Sequence, residues 1–305
     1  MARLAQAAGD GGWLLRDRNI VGRSHACTIR MDDPAVSGEH ASLRWAGQAW
    51  EVQDLHSRNG TWVDGRRLAP GESAGLLRGS LLGFGRPDSH HLVDADEPVA
   101  FATPLTGAGP SVLAQGGILP LPGPEGPEVM IFRDDHTWSI EQTGSTAAIA
   151  DGAVVQVGGA AWRLHLPASL PRTLDVRGDP PRLDEMLLRF AVRRDEERVE
   201  LVALHRDQTL DLKARAHHYL LLVLARARLD QRELPDEQQG WVDQERLLTM
   251  HRLDRGQLHL AVFRARRQFG EAGIVDAARV VERSDDQRLR IGAQRLEIRP
   301  LPDPD

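Results

Sequence analysis

The chain has 305 residues, of which 41% are hydrophobic and 27% charged, with a formal net charge of −6. That length suits two or three domains, and the charge gives no overall basic field to draw the molecule onto nucleic acid or an anionic membrane. A single cysteine, Cys27, excludes an internal disulfide or a multi-cysteine zinc site, and a single lysine, Lys213, leaves arginine to meet any anion.

Residues 11–98 carry short alternating apolar segments, among them HASLRWAG, QAWEVQDL and GTWVDG, separated by turn signals. This period predicts an all-β sandwich, with hairpin turns at Gly47-Gln48 and Asp64-Gly65. A Pro/Gly/Ala-rich stretch over 99–127 reads as a linker. Residues 128–170 hold further strand patterns (EVMIF, TWSIEQ, AVVQVGG, AWRLHLP) and form a small β segment, a candidate degenerate repeat of the first, with no site assigned to it. Residues 182–299 open on strands. AHHYLLLVLARARL, WVDQERLLTMHRL and DRGQLHLAVFRARRQFGEAG then read as three helices, with Asp243 and Asp254 as N-caps of the last two. RVVERSDDQRLRIG closes as a hairpin. The longest apolar run, around Tyr219–Ala225, is far short of a membrane span, and the opening stretch lacks the apolar core of a signal peptide. The expectation is a multidomain cytoplasmic protein without a membrane anchor.

Three polar motifs stand in order within the first zone: Gly22-Arg23-Ser24, then Ser37-Gly38-Glu39-His40-Ala41, then the run Leu55–Gly65, LHSRNGTWVDG. The gaps, about fourteen and about twenty-two residues, suit strand-turn-strand connections. The set resembles the forkhead-associated (FHA) domain, a sandwich whose loops at one end read phosphothreonine. A phosphothreonine carries nearly two negative charges and three strong acceptor oxygens, and an arginine fork meets such a group with charge-assisted, bidentate hydrogen bonds. The resemblance implies that Arg23, Ser24, Ser37 and the backbone at Gly38 hold the phosphate. It implies that Asn59 grips the peptide backbone and that Arg58 touches the phosphate or a neighbouring peptide side chain. Gly22, His40, Gly60 and Thr61 are then structural, His40 bracing the loops. Gly38 and Glu39 depart from the family, which often places a basic or amide residue after the serine. A second phosphate donor is therefore expected to be missing and the pocket to be modest.

The last zone resembles the OmpR/PhoB-type effector domain, an α+β winged helix-turn-helix. In its third helix Leu258, Ala261, Val262, Ala265 and Phe269 share one face and are expected in the core. Arg264 and Arg267 project away from that face and Arg266 toward its side, while Phe263 stands outward beside Leu260. The resemblance implies that Gln257, Leu260, Arg264 and Arg267, with Arg283 and Arg288 of the wing, are positioned to contact double-stranded DNA. Acidic residues nearly balance the arginines of this zone, and Phe263 stands where the family usually shows a basic residue; both count against DNA binding, and the apolar pair Leu260 and Phe263 suits thymine methyls and a protein surface equally.

No catalytic machinery is legible. The adjacent pairs His90-His91 and His217-His218 are expected to point apart, and neither a G-x-x-x-x-G-K-[ST] loop nor a G-x-S-x-G elbow occurs. No enzyme activity, cofactor or metal is expected. Two functions are compatible with the residues, the first the leading reading and the second its alternative. One is a regulator that docks a threonine-phosphorylated protein, a Ser/Thr kinase or its substrate, and acts on DNA. The other is an adaptor that binds proteins at both ends.

Overall fold

The computed structural model describes residues 1–7, 11–87, 89–106, 109–134, 137–142, 145–168, 180–196 and 198–301. The chain divides into two compact units, Met1–Val99 with Leu166–Thr173, and Ala100–His165 with Leu174–Asp305.

The first unit is a sandwich of two sheets. One orders its strands Gly12–Leu14, Arg3–Gln6, His90–Asp94, Leu81–Phe84, Thr61–Val63, Arg66–Arg67; the other runs Ile29–Arg30, Arg18–Gly22, Ala41–Trp45, Trp50–Asp54, Ser73–Leu76. Alternation drives the packing. In Trp50–Asp54 every second residue is buried, and Trp50 and Val52 join Leu4, Val21, Leu43, Leu82, Phe84 and Leu92 in one core. Both expected hairpin turns form. Asp64 and Gly65 both take positive φ, as a tight two-residue turn requires. The sandwich begins earlier than the expected residue 11, because Arg3–Gln6 pairs with His90–Asp94 and buries Leu4 completely.

In the second unit the stretch over 99–127 is not a linker. It contains the strands Phe101–Pro104, Val112–Leu113 and Ile118–Leu121, with Gly116 and Gly117 making the tight turn ahead of the last. Four of its apolar residues, Phe101, Ile118, Leu119 and Leu121, are buried. With the strands from 129 to 165 they build two four-stranded sheets, one ordered Val112–Leu113, Phe101–Pro104, Ala160–His165, Val154–Val157, the other Ile118–Leu121, Val129–Asp134, Thr137–Gln142, Ser145–Ala148.

A third four-stranded sheet joins Gln208–Ala214, Val199–His205, Leu187–Val192 and the terminal strand Arg295–Pro300, which runs parallel to Leu187–Val192 and was not foreseen. Helices α1 (His218–Asp230), α2 (Gln244–His251) and α3 (Arg255–Glu271) follow, then the hairpin Val281–Arg283/Arg288–Ile291. Asp243 caps α2 through the N–H groups of Glu245 and Arg246, and Asp254 caps α3 in a reciprocal box with Gln257. His217 and His218 do not point apart as expected. His217 stands before the first helical turn, and both imidazole Nε2 atoms lie 2.7 Å from Oε1 of Gln268.

The middle sheet and the helices share one core. Ile118, Met130 and Phe132 belong to the cluster that holds Leu258, Val262, Ala265 and Phe269 of α3. The backbones touch: a Cβ on Gly270 of α3 would sit 1.9 Å from the carbonyl oxygen of Gly116.

Candidate functional site

The three polar motifs meet in space, tied together largely by backbone hydrogen bonds. The N–H of Arg23 donates to Ser37 O, and that of Ser24 to Gly38 O, each at 2.9 Å. Gly22 must be glycine, since a Cβ there would lie 2.2 Å from the Gly38 oxygen. From the third motif, the N–H of Arg58 donates to Ser37 Oγ (3.0 Å) and the Asn59 amide nitrogen to Ala35 O (2.8 Å). Ser37 Oγ is thus held as an acceptor with its O–H still able to donate, and the Asn59 amide nitrogen is engaged while its carbamoyl oxygen keeps acceptor capacity.

His40, completely buried, braces this arrangement. Its Nδ1 accepts from the Ser37 N–H (3.0 Å), which leaves Nε2 to donate to Gly60 O (3.1 Å). Burial pushes its pKa below the ordinary 6.5, against smaller opposing contributions from Gly60 and Asp54. The exposed Arg23 spends one N–H on Val36 O at 3.3 Å. Neither it nor the exposed Arg58 has an ion-pair partner among the described residues. Two arginines without an ion-pair partner are thus joined through their backbone N–H groups to Ser37, one at its carbonyl and one at its hydroxyl. Gly38 faces open space, so no side chain after Ser37 reaches the pocket from that position.

Sequence reasoning missed Asp54 and Ser57. The buried Asp54 carboxylate accepts from Ser57 Oγ, Ser57 N–H and Thr61 Oγ1, while Ser57 Oγ also accepts from the Gly60 N–H. Burial pushes the Asp54 pKa up, but the hydrogen bonds from Ser57 and Thr61 outweigh it and hold the carboxyl below its ordinary value. This network shapes the loop that presents Arg58 and Asn59. The available signal was an acid at a strand end followed at i+3 and i+7 by hydroxyl residues.

The residues singled out on α3 and the hairpin are placed differently from expectation. Leu258, Val262, Ala265 and Phe269 face the core as expected, with Ala261 half-buried. Phe263, expected outward, is fully buried, and Leu260 is half-buried. The middle sheet packs where solvent was assumed. Arg266 and Arg283 close on one carboxylate, Glu141, each at 2.8 Å, with all three side chains 1–2% exposed. Arg266 also donates to Val281 O and lies 4.8 Å over the Phe132 ring. Burial pushes the Glu141 pKa up, and the two guanidinium groups more than reverse this. Beside them His259 is pushed down to about 4, by burial first and Arg283 next. Arg267 is half-buried, bonded to Gln115 (2.8 Å) and paired with Glu271. Arg264 is exposed, Gln257 serves the N-cap, and Arg288 pairs with Asp286 beside Trp241. In this packing Arg283 has no route to a DNA phosphate.

The FHA domain family model matches residues 19–85, and that stretch is an FHA domain. The chain is similar to the FHA domain-containing protein FhaA of Mycobacterium tuberculosis (strain ATCC 25618 / H37Rv), with 36% identity over 70 residues. The match spans 23% of this chain and only 13% of that protein. Among solved structures, the FhaA FHA domain complexed with the intracellular domain of Rv3910 is 31% identical, covering 30% of this chain and 98% of that one with a TM-score of 0.27. A structure described in an analysis of phosphothreonine-dependent FHA domain interactions is 32% identical, covering 30% and 92%, with a TM-score of 0.26.

Proposed function

We propose that this chain is a binding protein whose FHA domain docks partners phosphorylated on threonine. The observation that carries this is the interlock at Ser37: one residue takes hydrogen bonds from the backbones of Arg23 and Arg58, and the two arginines are left uncompensated at the same end of the sandwich. Such a site is preorganised, so little ordering is lost on binding. A threonine-phosphorylated Ser/Thr kinase or one of its substrates is the partner class we favour. The test is fluorescence-anisotropy binding of a degenerate phosphothreonine peptide library, its unphosphorylated twin, and the Arg23→Ala variant. Binding that needs the phosphate and disappears in the variant supports the reading. Equal binding of both libraries would reduce the domain to a scaffold.

For the second unit, a winged-helix reading rests on element order alone: sheet, three helices, hairpin. The burial of Arg266, Arg283 and Phe263 favours the adaptor role over DNA recognition, because beyond its first turn α3 offers one exposed arginine, Arg264, itself 4.0 Å from Glu125. No helix among the described residues is long and apolar enough to cross a membrane. We read the protein as acting by recognition, without catalysis, metal or cofactor.

A further inference from the structure

Arg67 lies outside every motif of the phosphate site, yet the fold returns it there. The strand Thr61–Val63 leaves the loop that holds Asn59 and Gly60, turns at Asp64-Gly65, and comes back as Arg66–Arg67, with Arg67 opposite Trp62 and the Leu68 N–H on Thr61 O. The two adjacent arginines leave opposite faces of the strand. Arg66 is neutralised by Glu72 at 2.8 Å. Arg67 is not: exposed, it has no ion-pair partner among the described residues. Its guanidinium lies 6.0 Å from the Trp62 ring centroid, at the edge of cation–π range. It also covers Gly60, where a Cβ would stand 2.2 Å from Nε. Gly60 directly follows Asn59, the residue assigned to the peptide backbone. A third arginine without an ion-pair partner therefore packs over Gly60, the residue next to the one assigned to the peptide backbone.

We infer that Arg67 is a specificity-determining residue that selects a carboxylate side chain flanking the phosphothreonine, so that the preferred ligand is an acidic phosphothreonine peptide. The inference rests on the phosphothreonine reading above and adds a second anionic subsite to it. The trimmed reach of the site at Gly38 fits this arrangement, since affinity not supplied after Ser37 is available from Arg67.

The test uses the full chain and labelled phosphothreonine peptides in which one flanking position at a time is Asp, Ala or Lys. Wild-type protein is expected to bind the best Asp peptide about three- to fivefold more tightly than its Ala counterpart, the upper range for an exposed ion pair. Arg67→Gln should level the two, and Arg67→Glu should turn the preference toward Lys, while Arg66→Gln changes nothing. All variants should still require the phosphate. An Asp preference that survives Arg67→Glu, or no Asp preference in the wild type, overturns the inference and leaves phosphate reading intact. Loss of phosphate dependence in the wild type overturns both.

Discussion

The backbone N–H of Ser37 donates to Nδ1 of His40 at 3.0 Å, so the imidazole is held neutral with its proton on Nε2. Protonation would set a second N–H against the Ser37 N–H and uncouple the loop that carries the hydroxyl. His40 is depressed below 6.5, so the unfolded chain binds the proton more readily than the native one. The stabilisation is therefore complete above about pH 6.5 and is lost as pH falls toward the depressed folded value. Imidazole nitrogen NMR should give an Nε2–H tautomer and a titration midpoint below that of an exposed histidine. His40→Ala should lower the melting temperature.

Arg23 and Asp54 separate recognition from architecture. Arg23→Ala is expected to weaken phosphopeptide binding by about 2–5 kcal/mol, as for one partner of a hydrogen-bonded charge pair, with denaturant stability unchanged because the side chain is exposed. Asp54→Ala should do the reverse in order. It strands the buried hydroxyls of Ser57 and Thr61, for a loss of about 1–3 kcal/mol in stability, and peptide affinity falls as a consequence. Calorimetric titration beside urea unfolding of both variants distinguishes the two roles.

Glu141 neutralises part of a buried excess of positive charge. Glu141→Ala leaves Arg266 and Arg283 facing each other and should destabilise the second unit by about 3–5 kcal/mol in denaturant unfolding. Replacing all three by apolar residues of similar volume should recover most of that loss, since desolvation of the ions is removed with their attraction. Because the depressed Glu141 carboxylate must ionise to serve, its contribution fades as pH falls through its folded pKa, below the ordinary 4.5.

Duplex DNA offers a direct check on the second unit. With Arg266 and Arg283 committed to Glu141 and Arg267 to Gln115 and Glu271, we expect weak binding that changes little with salt. A steep fall in affinity with rising salt, the mark of several phosphate contacts, would restore the regulator role.

The FHA site was legible because its chemistry is local: Gly22-Arg23, Ser37…His40 and Asn59-Gly60 announce themselves by residue type and order. Asp54 was not, since an acid at a strand end reads equally well as solvated until Ser57 and Thr61 are seen to fold over it. On α3 the period gave the first buried face correctly. It could not show that Phe263 and Arg266 meet a second layer, because that layer comes from strands more than a hundred residues earlier: Met130, Phe132 and Glu141 lie in the small β segment, which the sequence did not tie to α3, and Ile118 in the stretch that looked like a linker. Charge misled in the same way: Arg283 carries no mark in the sequence that its partner is Glu141.

The near-contact of Gly270 with Gly116 bears on how this protein is dissected. A fragment cut at residue 182, where composition suggests a seam, would keep the helices but discard Ile118, Met130 and Glu141. The apolar side of α3 would be bared to water, and two buried guanidinium groups would lose their counter-ion. Such a piece invites aggregation. Any excised C-terminal half must carry the strands from Phe101 onward to be the same molecule.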